Sequence, residues 1–112
     1  MKTYIGERTP DGCQVLVLDK SKPDGAYLLN PRYDLRNHSP DGFNFGYAGS
    51  GPSQLALALL ADALDDDDRA QGIYQTYKFK VIGRLEGDRF ELTEENIRQK
   101  VTELEAERGR KR

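Results

Sequence analysis

An apolar segment at residues 52–64 constrains the fold of this chain more than any other feature. From residue 54 onwards it contains five leucines and four alanines, and only Gln54 and Asp62 interrupt its apolar surface. Leucine and alanine have high helix propensity, and the segment has no β-branched residue. A helix that is apolar on nearly every side is buried, and about a dozen residues are too few to span a bilayer. The segment therefore predicts a buried central helix.

The residues that precede this helix are rich in glycine and aromatic side chains. Pro52 suits the first helical turn, because the N–H group that proline lacks would have no partner there. We expect Ser50, Gly51 or Ser53 to provide the helix cap. One interpretation of the segment is structural: the glycines let the backbone turn tightly where the aromatic side chains pack on the helix. The residues concerned are Gly46, Gly49, Gly51, Phe43, Phe45 and Tyr47.

The alternative interpretation of this segment is an anion site. Backbone N–H groups at the positive end of a helix dipole favour phosphate and other anions. Residues 46–53 match neither the phosphate loop of nucleotide hydrolases nor the dinucleotide-binding fingerprint. An anion there would need a positive charge opposite the helix start. The candidate ligand-binding residues are therefore Arg32, Arg36, Asn37, His38, Ser50, Gly51 and Ser53.

Composition limits the classes of function. A chain of 112 residues is expected to form one domain with a single core. Its 17 basic and 19 acidic residues give a net charge of −2. This balance argues against a dedicated nucleic-acid or membrane surface, unless the basic residues segregate.

The inventory of reactive side chains is short. Cys13 and His38 are the only cysteine and histidine, so no internal disulfide or structural zinc site is expected. A Cys13–His38 dyad is one nucleophilic arrangement that these residues allow. We predict no catalytic residues, no metal and no cofactor. One cysteine and an N-terminus without an apolar leader predict a cytoplasmic protein.

Three Pro-Asp-Gly tripeptides, which begin at Pro10, Pro23 and Pro40, predict turns. The first lies between extended segments at residues 2–8 and 14–19, so we expect an N-terminal β-hairpin. A third strand is expected at residues 26–30. An antiparallel sheet opened by this hairpin and packed against the central helix would give an α+β fold with two further helices.

The run of four aspartates at residues 65–68 predicts the end of the central helix and the cap of a second one, because acidic groups stabilise a helix start. A cation site is the alternative for this run. The second helix carries Ala70, Ile73, Tyr74 and Tyr77 on one face.

The period of the sequence becomes ambiguous at residues 78–85. Phe79 and Val81 alternate with lysines as in a strand, whereas Tyr77, Val81 and Leu85 have helical spacing. The turn at residues 86–88 and the alternating segment at residues 89–92 favour a second hairpin. A last helix is predicted after Thr93, which would cap it.

A basic cluster closes the chain. We expect one domain at residues 1–107 and a disordered, solvated tail at residues 108–112. Nucleic acid is an expected partner only through this tail, because four basic side chains there could neutralise phosphates. They belong to Arg108, Arg110, Lys111 and Arg112.

Three segments carry a family resemblance. They are YIGER at residues 4–8, NHSPDGFNFGYAGSGPSQLALALL at residues 37–60 and LTEENI at residues 92–97. Together they resemble a family of small bacterial proteins classed as a domain of unknown function. Phe45 and Ala48 stand where the family motif has tryptophan and glycine. The resemblance implies the boundaries of the fold and no activity.

Two functions from different classes agree with these features. The first is a non-enzymatic binding or accessory domain whose aromatic and Arg-Asn-His residues contact a protein or nucleic-acid partner. The second is a small enzyme or ligand-binding protein that uses residues 32–51 and the Gly-Ser-Gly-Pro helix start on a phosphorylated ligand. Convergence of the candidate residues on one concave pocket would favour the second function.

Overall fold

A computed structural model describes residues 1–110 of the protein as four strands, three α-helices and one short 3₁₀ helix. This is the α+β fold that the sequence predicts. The elements, in chain order, are β1 (Lys2–Thr9), β2 (Gly12–Asp19), β3 (Ala26–Leu28), α1 (Ser50–Leu64), α2 (Asp67–Lys80), the 3₁₀ helix (Ile82–Arg84), β4 (Arg89–Thr93) and α3 (Glu94–Arg110).

The four strands form one antiparallel sheet in the order β3-β2-β1-β4. The N-terminal hairpin is confirmed: β1 and β2 pair from Lys2 opposite Asp19 to Thr9 opposite Gly12. Gly12 has a φ of +125°, which glycine adopts without strain at the end of the turn. The predicted third strand is also present, although it ends two residues earlier than expected.

One face of the sheet builds the core. Tyr4, Val15, Val17 and Phe90 alternate with outward-facing residues and are buried. The same core contains α1, in which every residue from 51 to 64 except Asp62 is buried. The prediction of a buried central helix is therefore confirmed.

The start of α1 differs from the prediction. The capping residue is Gly49 in an extended conformation, and no side chain caps the helix. None of the expected residues, Ser50, Gly51 and Ser53, provides the cap, because all three already lie inside the helix. Pro52 occupies the first turn, where its missing N–H group has no intrahelical partner.

The aspartate run separates α1 from α2 as predicted. Asp65 ends α1 in the left-handed conformation, with a φ of 52°. Asp66 caps α2, since its side chain accepts a hydrogen bond from the backbone N–H of Arg69 at 3.0 Å. The run therefore acts as a helix boundary.

The hairpin expected at residues 78–92 is wrong. Helix α2 continues to Lys80, and the N–H of Val81 donates to the carbonyl of Tyr77 at 2.8 Å. The chain then forms the 3₁₀ helix, and β4 pairs with β1 instead of a neighbouring strand. Burial explains the difference, because Tyr77 and Ile82 both reach the core and helical geometry brings both inward.

The last helix begins as predicted. The hydroxyl of Thr93 accepts a hydrogen bond from the N–H of Asn96 at 3.1 Å. Helix α3 continues to Arg110, beyond the predicted start of the tail, and the guanidinium of Arg108 donates to the carbonyl of Gly72 on α2. Lys111 and Arg112 lie outside the described residues. No helix within residues 1–110 is long and apolar enough to cross a membrane.

Candidate functional site

The segment between β3 and α1 is held against the core by one buried amide. The side chain of Gln54 on α1 is fully buried, and its oxygen accepts hydrogen bonds from the backbone N–H groups of His38 (2.7 Å) and Ser39 (3.3 Å). Its nitrogen donates to the carbonyls of Pro31 (2.6 Å) and Arg36 (2.9 Å). All four hydrogen-bonding positions of this amide therefore hold residues 31–39 in one conformation.

We call residues 31–49 the α1 loop. Its His38 contacts helix α2, where the ring Nε2 lies 2.7 Å from the hydroxyl of Tyr74. Desolvation and the nearby charges of Arg36 and Lys78 hold the pKa of His38 below its ordinary value. A lowered pKa favours the neutral form of the imidazole.

Lys78 lies one helical turn beyond Tyr74 and has an unusual environment for a lysine. Only 9% of its surface is exposed, and its ammonium lies 4.1 Å from the centroid of the Phe79 ring. Within residues 1–110 it forms no ion pair and no hydrogen bond. The ammonium is not among the fully buried polar atoms that lack a partner, so the apolar stem is buried while the charged end keeps contact with solvent beside the ring.

The start of α1 opens onto a polar cleft of about 430 Å³. Two of the Pro-Asp-Gly turns face each other across it, and Ser39, Ser50 and Gly51 contribute to its lining. The charged residues that line it are Asp11 and Asp41, both acidic. These carboxylates oppose the binding of an anion at the helix start.

The glycines of this region are required by close packing. A Cβ atom on Gly51 would lie 2.8 Å from the Cβ of Asn44, and one on Gly49 would lie 2.6 Å from the ring of Tyr47. Phe45 is fully buried, as the structural interpretation of the segment expects. Tyr47 is half exposed and packs on the loop itself.

Arg32 lies away from this cleft. Its guanidinium binds the carboxylate of Asp67 at 2.7 and 3.0 Å and that of Asp34 at 3.0 and 3.1 Å. This pairing lowers the pKa of both carboxyl groups. Because Asp67 follows the C-terminal end of α1, Arg32 and Ser50 lie near opposite ends of a 15-residue helix. Such a helix is about 22 Å long.

The predicted site residues therefore fall in separate places. Arg36, Asn37 and His38 lie on the α1 loop beside α2, Ser50 and Gly51 border the acidic cleft, and Ser53 is buried in the helix. Arg32 belongs to an ion-pair cluster at the start of α2. Ligand binding at the first two places stays a prediction, but the structure does not bring Arg32 to either of them.

Two residues of this region escaped the sequence analysis as site residues. Gln54 left a signal, since a polar residue inside an apolar helix either faces solvent or has buried partners. Lys78 left none, because lysine is ordinarily exposed and nothing in the local sequence indicates that its stem is buried. The proposed Cys13–His38 pair is not formed among the described residues: His38 bonds Tyr74, and Cys13 lies in β2 opposite Arg8.

Comparison with known proteins gives one match. A family model, described as a family of unknown function, covers residues 4–103. No curated protein and no solved structure matches the chain. The match includes the three segments that carry the resemblance noted in the sequence. The chain therefore belongs to the family of unknown function DUF6166.

Proposed function

We propose that the protein is a non-enzymatic binding domain that presents the α1 loop to a protein partner. The observation that carries the proposal is the complete hydrogen bonding of Gln54, which holds the backbone of four loop residues on a buried helix. A loop held in this way loses little conformational entropy when a partner binds.

The side chains that the α1 loop exposes suit a protein interface. Tyr33 and Tyr47 are 40% and 49% exposed, and Arg36 and Asn37 are also exposed. Tyrosine and arginine are enriched among the residues that dominate the binding energy of protein interfaces. Rigid aromatic side chains on a preorganised loop are therefore favourable contacts.

The reactive residues give less support to an enzyme. Burial raises the pKa of the Cys13 thiol to about 11, so the thiol is protonated and weakly nucleophilic at pH 7. The ring of His38 is hydrogen-bonded to Tyr74, and the charged groups that act on it, Arg36 and Lys78, are both cationic. A general base for hydrolysis or transfer would need a nucleophile or water in contact with a titratable group.

The alternative function is binding of a phosphorylated ligand in the cleft at the start of α1. The volume of about 430 Å³ and the free end of the helix favour it. Asp11 and Asp41 oppose it, and Arg32 is paired elsewhere. We therefore place it second. We also propose a bacterial cytoplasmic location, for which the single cysteine is the support.

Site-specific photo-cross-linking tests the binding function. A photoreactive phenylalanine analogue would replace Tyr47 on the α1 loop, and in a matched control it would replace Gln99, an exposed residue of α3. In the source cells we expect a discrete protein adduct from position 47 and none from position 99. Adducts from both positions, or from neither, would contradict the proposal.

A further inference from the structure

The cleft at the start of α1 carries charge of one sign. Asp11 and Asp41 contribute carboxylates from two facing turns, and no basic residue within residues 1–110 lines the cleft. Both aspartates are exposed, and neither forms an ion pair within the same residues. In contrast, Asp62 and Asp67 are paired with Lys2 and Arg32. The negative charge of the cleft is therefore available to a cationic group from outside the domain.

Aromatic surface borders the same carboxylates. Tyr47, which is 49% exposed, lines the cleft together with Phe43 and Pro10. The ring of Tyr47 packs against the backbone at Gly49, where a Cβ atom would lie 2.6 Å from it. An arginine suits a ring beside a carboxylate, because its guanidinium stacks on the ring face while its N–H groups bind the carboxylate.

The helix start adds hydrogen-bond donors to this lining. Pro52 has no N–H group, and the N–H of Ser53 donates to the carbonyl of Gly49 at 3.0 Å. The N–H groups of Ser50 and Gly51 lie in the first turn, where they have no intrahelical acceptor, and both residues line the cleft. A backbone carbonyl of a bound segment is a suitable acceptor for them. The positive end of a helix amounts to only about half an elementary charge, so two carboxylates leave the cleft negative.

We propose that the cleft at the start of α1 binds a basic segment of the partner protein, with an arginine of that segment stacked on Tyr47 and its guanidinium bound to the carboxylates of Asp11 and Asp41. A backbone carbonyl of the same segment accepts hydrogen bonds from the helix start. The proposal rests on the binding function above and names the chemistry of the partner.

The lining fits a segment of protein better than a metal ion or a phosphorylated ligand. No group of three or more histidine, cysteine, aspartate or glutamate side chains within residues 1–110 could hold a metal ion. A phosphate at the helix start would face two carboxylates. The volume of about 430 Å³ lies in the usual range of ligand pockets, so the cleft holds a long side chain with its adjoining backbone.

Two matched peptides test the chemistry of the occupant. The first is Gly-Arg-Gly, blocked at both ends, and the second has citrulline, which is neutral and of nearly the same shape, in place of arginine. With the arginine peptide we expect saturable NMR shifts of the amides of residues 11–12, 41–44, 47 and 50–51, and weaker binding as salt rises. The citrulline peptide should bind about tenfold more weakly, as expected for the loss of hydrogen bonds between charged groups. Equal binding of the two peptides would overturn the proposal.

Substitution of the aspartates tests the residues that bind the peptide. Asp41→Asn removes one charge and keeps a residue that suits the turn, and it should weaken binding of the arginine peptide about threefold, like the loss of one exposed ion pair. Asp11→Asn combined with Asp41→Asn should weaken it about tenfold. The matched control is Asp24→Asn, in the Pro-Asp-Gly turn beyond the opposite end of β2, which should bind like the parent.

Thermal unfolding separates binding from a structural role. All these variants should unfold at the parent temperature, because the three aspartates are exposed. Unchanged binding in the double variant, equal weakening by Asp24→Asn, or a loss of binding accompanied by a lower unfolding temperature would overturn the proposal.

Two further outcomes distinguish this inference from the proposed function. Saturable shifts of the same amides with inorganic phosphate but not with the arginine peptide would overturn the basic segment as the occupant and favour the phosphorylated ligand. Adducts from position 47 in cells, together with no peptide binding at millimolar concentration, would overturn this inference and leave the binding function standing.

Discussion

The phenol of Tyr4 on β1 donates a hydrogen bond to the carboxylate of Asp62 on α1, across 58 positions of sequence. Tyr27 on β3 donates to the second oxygen of that carboxylate at 2.7 Å, and the ammonium of Lys2 lies 3.1 Å from the first. A single acidic side chain of the central helix therefore binds two strands of the sheet.

Replacement of Asp62 should destabilise the fold. Asp62→Ala removes the acceptor of the buried Tyr4 hydroxyl, and we expect a loss of about 2–3 kcal/mol in the free energy of unfolding. Chemical denaturation would measure it. Asp68→Ala, at an exposed position of the aspartate run at residues 65–68, is the control and should change stability little. Equal stability of the two variants would show that the carboxylate contributes nothing to the fold.

Stability should fall in alkali, partly through Tyr4. Burial, and then the hydrogen bond to Asp62, raise the pKa of Tyr4 well above its ordinary value. Above pH about 10 the unfolded state loses this proton while the folded state keeps it, so stability decreases as pH rises. The contribution of one such group is about 1.4 kcal/mol per pH unit. Denaturation from pH 9 to 11 should therefore show a shallower decline for Tyr4→Phe than for the parent protein.

Gln54→Leu should release the α1 loop. The substitution keeps the approximate volume but leaves two loop N–H groups and two loop carbonyls without their partner, at a cost of about 2–5 kcal/mol. Hydrogen exchange should accelerate at the amides of His38 and Ser39, which bond to Gln54. Gln75→Leu, on the exposed side of α2, should change neither quantity. Protected loop amides in Gln54→Leu would contradict the assigned role.

Two glycine-to-alanine substitutions should change the free energy of unfolding in opposite directions. A Cβ atom on Gly6 would lie 2.0 Å from the ring of Phe90, its cross-strand neighbour, and that ring packs edge-to-face on Phe45. Gly6→Ala should therefore cost about 1–3 kcal/mol. Gly72 on α2 has open space, so Gly72→Ala should add about 0.5–1 kcal/mol.

A double-substitution cycle tests the cause of the Gly6 effect. If contact with the ring is responsible, Gly6→Ala and Phe90→Leu should destabilise less together than the sum of their separate effects. Additive effects measured by thermal unfolding would assign the loss to the strand backbone instead.

The titration of His38 reports the charges around it. Its pKa should lie below 6.5, and Lys78→Met should raise it, because one of the nearby cations is removed. NMR titration of the imidazole carbon-bound protons measures both values. With a lowered pKa in the folded state, the stability linked to His38 is present above pH about 6.5 and decreases as pH falls through the folded pKa. A pKa unchanged by Lys78→Met would place the lysine away from the ring.

The sequence predicted those elements whose signals are local. The apolar surface of α1, the Pro-Asp-Gly turn of the hairpin and the cap by Thr93 each depend on neighbouring residues, and all are present. Residues 78–85 fit two periods equally well, and packing decided between them. Tyr77 and Ile82 are buried against the core, which no local pattern of alternation could indicate.

The candidate site was harder to predict, because its contacts also join residues that are distant in sequence. The acceptors and donors that surround Gln54 come from backbone groups 15 to 23 positions away, and backbone groups have no sequence signature. The pairing of Arg32 with Asp67 likewise joins residues 35 positions apart. Arg32 became a candidate because an anion site would need a positive charge opposite the start of α1, and the sequence does not show that Asp67 already pairs with it.

The strand order β3-β2-β1-β4 has a consequence for synthesis on the ribosome. Strand β1 is an inner strand, and the residues that pair with its second edge, 89–93, are translated more than 80 positions later. Until they emerge, the nascent hairpin exposes an unpaired edge, which is a template for aggregation. We expect folding to complete only after residue 93 leaves the exit tunnel, and to be slow for a domain of this size because its closing contact is so distant in sequence.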